Sequence, residues 1–270
     1  MYIKLGFELA FELPAPAPML LMLQVHPSRV PDIARQSFLL TDPAVPVETF
    51  RDAFGNTGAR IVAPAGIMKF TYDAVVQDSG LPDVVQADAQ QHAVQDLPVE
   101  VLPYLLNSRY CEVDVLSDTA WQLFGKTPLG WARVQAVVDW CHQHVTFGYK
   151  FARPTKTAFD VYRERQGVCR DFTHLAITMC RCLNIPARYA TGYLGDIGIP
   201  PVDAPMDFSA WFEVYLSGRW WTFDARHNTP RIGRVLMANG RDATDAALTT
   251  SFGPAKLVKF LVWTDEVMNV

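Results

Sequence analysis

The sequence predicts an α+β protein: an N-terminal antiparallel β-sandwich over residues 1–107, followed by a core of helices packed on an antiparallel sheet over residues 108–270. Three observations predict it. Apolar residues in the first hundred positions alternate with a period of two between Gly-, Pro- and Asn-containing turns, whereas after Ser108 they recur at helical spacing. Near 209–224 two strands flank a two-residue turn. The length of 270 residues accommodates two such units, and 50% hydrophobic against 19% charged residues supplies enough apolar side chain for two cores and excludes a disordered chain.

Taken in order, Ile3 to Leu13 places Ile, Leu, Phe, Leu, Phe and Leu at odd positions, the pattern of a half-buried strand. Pro14, Pro16 and Pro18 interrupt it, and Met19–Val25 is a short apolar run expected to be a strand buried on both faces. Further strands are expected at 45–53 and 59–63, joined through Gly55-Asn56-Thr57-Gly58, and at 67–76, ended by Asp78-Ser79-Gly80. Beyond Gly130-Trp131, the residues Val134, Val137, Val138, Cys141 and Val145 mark an amphipathic helix. A second helix is expected over 157–165, capped by Thr155 or Thr157. A third opens at Gly167-Val168-Cys169 with Phe172, Leu175, Met179, Cys182 and Leu183 on its apolar face and stops at Asn184-Ile185-Pro186.

The net charge is −4, with 7 Lys/Arg against 12 Asp/Glu in residues 1–110 and no cationic cluster, so neither nucleic acid nor an anionic membrane is expected as a partner. No apolar run approaches the ~18–20 residues of a membrane span, and the first residues lack the basic start of a secretory signal, which points to a cytoplasmic location. Five cysteines, an odd number without paired metal-type spacing, are read as free thiols.

Cys169 falls at a helix N-terminus, where unpaired N–H groups and the helix dipole favour a thiolate and Arg170 adds positive charge, so this thiol is the candidate nucleophile. Ser209–Leu216 and Arg219–Asp224 form a hairpin through Ser217-Gly218. If Leu216 pairs with Arg219, Ser209 lies opposite Arg226, and Asp224 shares a face with Ser209 on the diagonal. A helix-borne thiol facing a strand pair with an acid is an arrangement for thiol hydrolysis.

These residues carry a resemblance. Gly-Val-Cys-Arg-Asp-Phe-Thr-His-Leu at 167–175, Asn-Ile-Pro-Ala-Arg-Tyr-Ala-Thr-Gly-Tyr at 184–193, Ala-Trp-Phe-Glu-Val-Tyr-Leu at 210–216 and Trp-Thr-Phe-Asp at 221–224 resemble the transglutaminase-like superfamily, in particular its bacterial cysteine-protease branch. Phe11–Ser28 and Asp52–Ala65 are similar to the β-rich region that precedes the core in that branch. The resemblance implies a papain-like core and a Cys-His-Asp triad, with Cys169 as nucleophile and Asp224 as orienting acid. The family's His stands directly before Ala-Trp, and this sequence has Ser209 there. A hydroxyl is no base near neutral pH, so the ordinary triad is incomplete.

Among other histidines, His174 is rotated ~140° from Cys169 around the helix and is expected to be a packed structural residue. His227 would face away from Asp224 on a continuing strand, and only a bend at Ala225-Arg226 brings it round; Asn228-Thr229-Pro230 marks the strand end, which makes His227 the candidate substitute base. Cys141, His142 and His144 do not face one another on a helix, and no EF-hand loop is present, so neither a metal nor a calcium requirement nor any other cofactor is expected. The expected activity is a cysteine-nucleophile protease, amidase or acyltransferase acting on a peptide or protein substrate. The alternative is a weak or inactive pseudoenzyme that binds such a partner in the same cleft.

Overall fold

The computed structural model describes residues 1–35, 38–202 and 205–268. The alternation of Ile3–Leu13 becomes β1 (Tyr2–Leu13), whose odd-numbered side chains are all buried. It is flanked on both edges by antiparallel partners, β7 (Gly66–Gln77) and β15 (Lys256–Val267). The short strands β3 (Ile33–Arg35) and β4 (Leu40–Asp42) pair with the far edge of β7. A second antiparallel sheet contains β2 (Ala17–Leu21), β5 (Glu48–Arg51), β6 (Thr57–Ala63) and β14 (Thr249–Ser251), in the order β14-β2-β6-β5. Ile3, Leu5 and Phe7 from one sheet and Met19, Leu21 and Ile61 from the other share one hydrophobic core.

Two expectations for this half change. Met19–Val25 is not one doubly buried strand: pairing stops at Leu21, and the strand alternates, with Ala17, Met19 and Leu21 buried and Pro18 exposed. The last strands, β14 and β15, join the N-terminal sheets, although the sequence reading assigned all of 108–270 to the core. Neither was visible as a strand signal, because β15 is an edge strand that exposes Leu257, Val258, Phe260 and Leu261.

The core sheet consists of β10 (Ala187–Tyr193), β11 (Ser209–Leu216), β12 (Arg219–Phe223) and β13 (Val235–Gly240), in the order β12-β11-β10-β13. Across β10 and β11 lies α4 (Cys169–Cys182), surrounded by α1 (Val113–Phe124), α2 (Trp131–His144) and α3 (Ala158–Glu164). The capping residue of α3 is Thr157, whose hydroxyl accepts from Asp160 N–H while the Asp160 carboxylate accepts from Thr157 N–H. No helical period announced α1, since its buried stripe is only Leu116, Ala120 and Phe124 and it exposes Val115, Trp121 and Leu123.

The single apolar face expected for α4 is exceeded: every residue from Asp171 to Cys182 is buried. Apart from His174 Nδ1, which has no partner among the described residues, its buried polar side chains are held by internal partners, as burial without them would be costly. The Arg181 guanidinium donates to the carbonyls of Ala187 (3.0 and 2.8 Å) and Leu106 (3.0 Å). The short parallel pair β8 (Thr146–Phe147) and β9 (Gln166–Gly167) leads the chain into α4. No helix among the described residues is long and apolar enough to cross a membrane.

Candidate active site

Cys169 is the first residue of α4, and its position is set by the turn before it. The buried Asp171 carboxylate accepts from Val168 N–H (2.9 Å) and so ties down the helix start. Gly167 is required there, because a Cβ would lie 2.6 Å from Asp171 Cβ. Arg170 is engaged elsewhere: its guanidinium pairs with Asp171 Oδ1 (3.2 Å) and donates to Arg153 O (2.6 Å). The cation that acts on Cys169 is instead Arg226, with the backbone N–H groups of Ala210 and Arg170 as further favourable dipoles.

Those dipoles do not win. Cys169 is partly exposed, yet burial of its surroundings, reinforced by the Asp207 carboxylate, pushes the thiol up to about 11. The thiolate expected from the helix terminus is therefore not the resting form near neutral pH. Asp207 was not singled out from the sequence. It lies two residues before β11 and lines the same open cleft, of about 360 Å³, as Cys169, Ser209 and Tyr110. Burial raises its own carboxyl, opposed by Phe208 N–H and by Arg226. The signal available was a lone acid just ahead of the hairpin.

The hairpin forms in the expected register at its turn, with Leu216 opposite Arg219 and positive φ at both Ser217 (48°) and Gly218 (80°). Pairing ends at Phe212–Phe223, however, so Ser209 does not lie opposite Arg226; its partner is Gly192 on β10. Ser209 and Asp224 are not hydrogen-bonded to each other. Ser209 Oγ is buried with no partner among the described residues.

Asp224 spends its oxygens elsewhere. Oδ1 accepts from the N–H groups of Arg226 (3.0 Å) and His227 (2.9 Å), which closes the turn after β12 and brings the His227 ring back over the acid. His227 Nδ1 then lies 2.8 Å from Oδ2, and Arg234 Nη2 donates to the same oxygen at 2.9 Å. The bend on which the candidacy of His227 depended is therefore present. Burial alone would raise the Asp224 carboxyl, but the Arg234 guanidinium and the His227 hydrogen bonds outweigh it and hold the group well below the usual carboxylate range. Asp83 secures the far side of Arg234, accepting from Nε at 2.8 Å. In a neutral ring, the ionised acceptor at Nδ1 places the proton on that nitrogen and leaves the lone pair on Nε2. This is the orientation an acid imposes on a catalytic imidazole. Ser209 lines the Cys169 cleft and also a second cavity, lined by His227 and Arg226.

The remaining candidates are structural in their contacts. His174 is fully buried, stacks on Tyr110 at 4.9 Å, and accepts from Ala243 N–H through Nε2 (3.1 Å). The ends of α2 place His142 Nδ1 at Arg226 O (2.8 Å) and His144 Nδ1 at Trp140 O (2.8 Å). Among the described residues no group of three or more His, Cys, Asp or Glu is placed to hold a metal.

Comparison with known proteins gives the family. The model of the transglutaminase-like superfamily matches residues 119–225, a span that contains Cys169, Ser209 and Asp224. The crystal structure of the "Putative Cysteine Protease" from Cytophaga hutchinsonii is 31% identical and superposes with a TM-score of 0.85, covering 100% of this chain and 92% of that one. The chain belongs to the transglutaminase-like superfamily. An uncharacterized protein of Mycobacterium leprae is 26% identical over 230 residues, 79% of this chain and 80% of the relative. Within the superfamily fold, the match to the Cytophaga structure includes the N-terminal sheets as well as the core, and the superfamily model ends two residues before His227.

Proposed function

We propose that this transglutaminase-like protein is a thiol enzyme for acyl transfer from peptide or amide carbonyls, in which His227, oriented by Asp224, replaces the imidazole that the family places at 209. The observation that carries the reading is the 2.8 Å contact between His227 Nδ1 and the ionised Asp224.

The sulfur adds to the substrate carbonyl carbon while His227 Nε2 accepts the thiol proton. Collapse of the adduct breaks the C–N bond, and the same proton leaves on the departing amine, which gives a thioester at Cys169. Water or a second amine then attacks the thioester; its proton passes through Nε2 to the departing thiolate, restoring Cys169. Whether the second nucleophile is water or an amine decides between hydrolysis and transfer.

A second reading is a cleft that binds a peptide partner without turnover. It is favoured by the raised Cys169 thiol and by the unpartnered Ser209 hydroxyl. The two are separated by trapping: incubation with an activated ester and with a peptide amide, followed by mass location of the acyl group. The enzyme reading expects acylation at Cys169 by both, absent in Cys169→Ala. Labelling by neither, in a protein whose Cys169 is still alkylated at high pH, selects the binding reading.

A further inference from the structure

Four side chains form one line of contacts that starts in the N-terminal half and ends at the candidate base. Asp83 lies six residues beyond β7, beside the bridge between Pro82 and Ile232. It is clasped there to the approach to β13: Asp83 N–H donates to Arg231 O, and Asp83 Oδ2 accepts from Arg231 N–H, both at 2.9 Å. The same carboxylate accepts from Arg234 Nε, 3.1 Å from Oδ1 and 2.8 Å from Oδ2, while Arg234 Nη2 donates to Asp224 Oδ2 at 2.9 Å. His227 Nδ1 shares that last oxygen at 2.8 Å.

The N-terminal half holds this arginine by its backbone as well. Arg29 Nη1 donates to Arg234 O (2.9 Å), and Arg29 Nη2 is anchored on Asp78 (3.0 Å). The Trp211 ring lies 5.1 Å from the Arg234 guanidinium. With the Arg234 and Asp224 side chains only 7% and 3% exposed, neither can exchange its partner for bulk water.

The division of Arg234 between two acids matters because a guanidinium favours two parallel bonds to one carboxylate. Asp224 Oδ1 is already taken by the N–H groups of Arg226 and His227, so an Arg234 turned fully onto Asp224 would compete with the imidazole for Oδ2. Engaged by Asp83 at Nε, Arg234 gives Asp224 a single bond from Nη2 and leaves Oδ2 shared with His227.

We propose that Asp83, supplied by the segment that leaves the N-terminal sheets, is a positioning residue for the candidate base, acting through Arg234 to keep Asp224 Oδ2 open to His227. Its part in the Cys169 reaction rests on the reading above; its hold on the His227–Asp224 pair does not. The N-terminal half thereby completes the site as well as preceding it in sequence.

The test is the tautomer of the His227 ring in the full chain, read from imidazole ¹⁵N shifts at high pH and assigned by its loss in His227→Gln. The Nδ1–H form is expected to dominate in the unmutated protein. In Asp83→Asn the Nε2–H form should rise about fivefold or more, and Asp83→Glu, which keeps the carboxylate, should restore the original pattern. The other charged groups beside His227 among the described residues, Arg226, Arg231, Asp196 and Asp207, are the same in every variant. In peptide-amide cleavage, Asp83→Asn should lower kcat by roughly tenfold or more with KM changed by less than about twofold. Ile61→Val, which loosens the N-terminal core away from these contacts, should move neither the tautomer nor kcat. Should Asp83→Asn not fold, Asp83→Ser, whose hydroxyl can still accept from Arg231 N–H, is read instead with the same expectation. A lowered melting temperature with an unchanged tautomer would mean that Asp83 is only a structural clasp, and overturns the proposal. If the unmutated protein cleaves no amide, the reaction proposed above fails, and the tautomer comparison still decides the role of Asp83.

Discussion

Asp224 and Cys169 are prepared very differently. The acid is buried, ionised and bonded on both oxygens: the turn amides take Oδ1, and His227 and Arg234 share Oδ2. The thiol sits at a well-built helix start, where the Arg226 charge and two backbone dipoles act against burial and Asp207. A helix N-terminus by itself thus does not supply an acidic cysteine; the sign depends on which charges remain after the local ion pairs are made. Arg170, next in sequence to Cys169, is spent on Asp171, and the more distant Arg226 acts in its place.

Breaking the prepared side should have the largest effect. Asp224→Ala removes one carboxylate from the buried Arg234, whose Nε keeps Asp83, and is expected to cost about 3 kcal/mol. The loss is measured by denaturant unfolding. If Asp224→Asn costs as much, loss of the carboxylate charge beside Arg234 is the cause. On the thiol side, Gly167→Ala forces a Cβ against Asp171 and should cost about 1–3 kcal/mol and slow alkylation of Cys169. Unchanged melting would show that the turn before α4 yields more easily than its packing implies.

The thiol side also depends on α4 remaining buried around His174, whose ring is pushed down by burial, beyond what the neighbouring Asp242 restores. In the unfolded chain the same ring titrates near 6.5, so below that pH the unfolded state binds the extra proton and stability falls. This group is expected to remove about 2 kcal/mol between pH 7 and pH 5. In His174→Gln the slope of stability against pH over that interval should flatten. A smaller change is expected from restoring the family residue: in Ser209→His an imidazolium next to the thiolate should lower the apparent pKa of Cys169 by more than about one unit. The adjoining cavity offers room for the ring. No change on alkylation against pH would mean that position 209 does not reach the sulfur.

Local chemistry was readable in the sequence and tertiary closure was not. The helix start at Cys169, the Thr157 cap and the Ser217-Gly218 turn follow from residues a few positions apart. The return of β15 to β1 bridges some 250 residues, and its exposed apolar face mimics no strand pattern. The site divides the same way. Cys169, Ser209 and Asp224 were singled out by resemblance to a family motif and fall within the span that the superfamily model matches, whereas Arg234 and Asp83 enter only through buried pairing. Asp207 enters through its proximity to Cys169. For His227, alternation along a continuing strand gave the wrong face, because the Asp224 side chain itself ends the strand by capping the turn.

The central claim is that the His227–Asp224 pair carries the proton for Cys169. Its most direct test is the rate of peptide-amide cleavage in His227→Ala, with Cys169 alkylation at pH 10 as the control for an intact cleft. The pair predicts a loss of about 10²–10⁴-fold in amide cleavage with alkylation at high pH unchanged. Amide cleavage at the unmutated rate in a folded His227→Ala protein would contradict it.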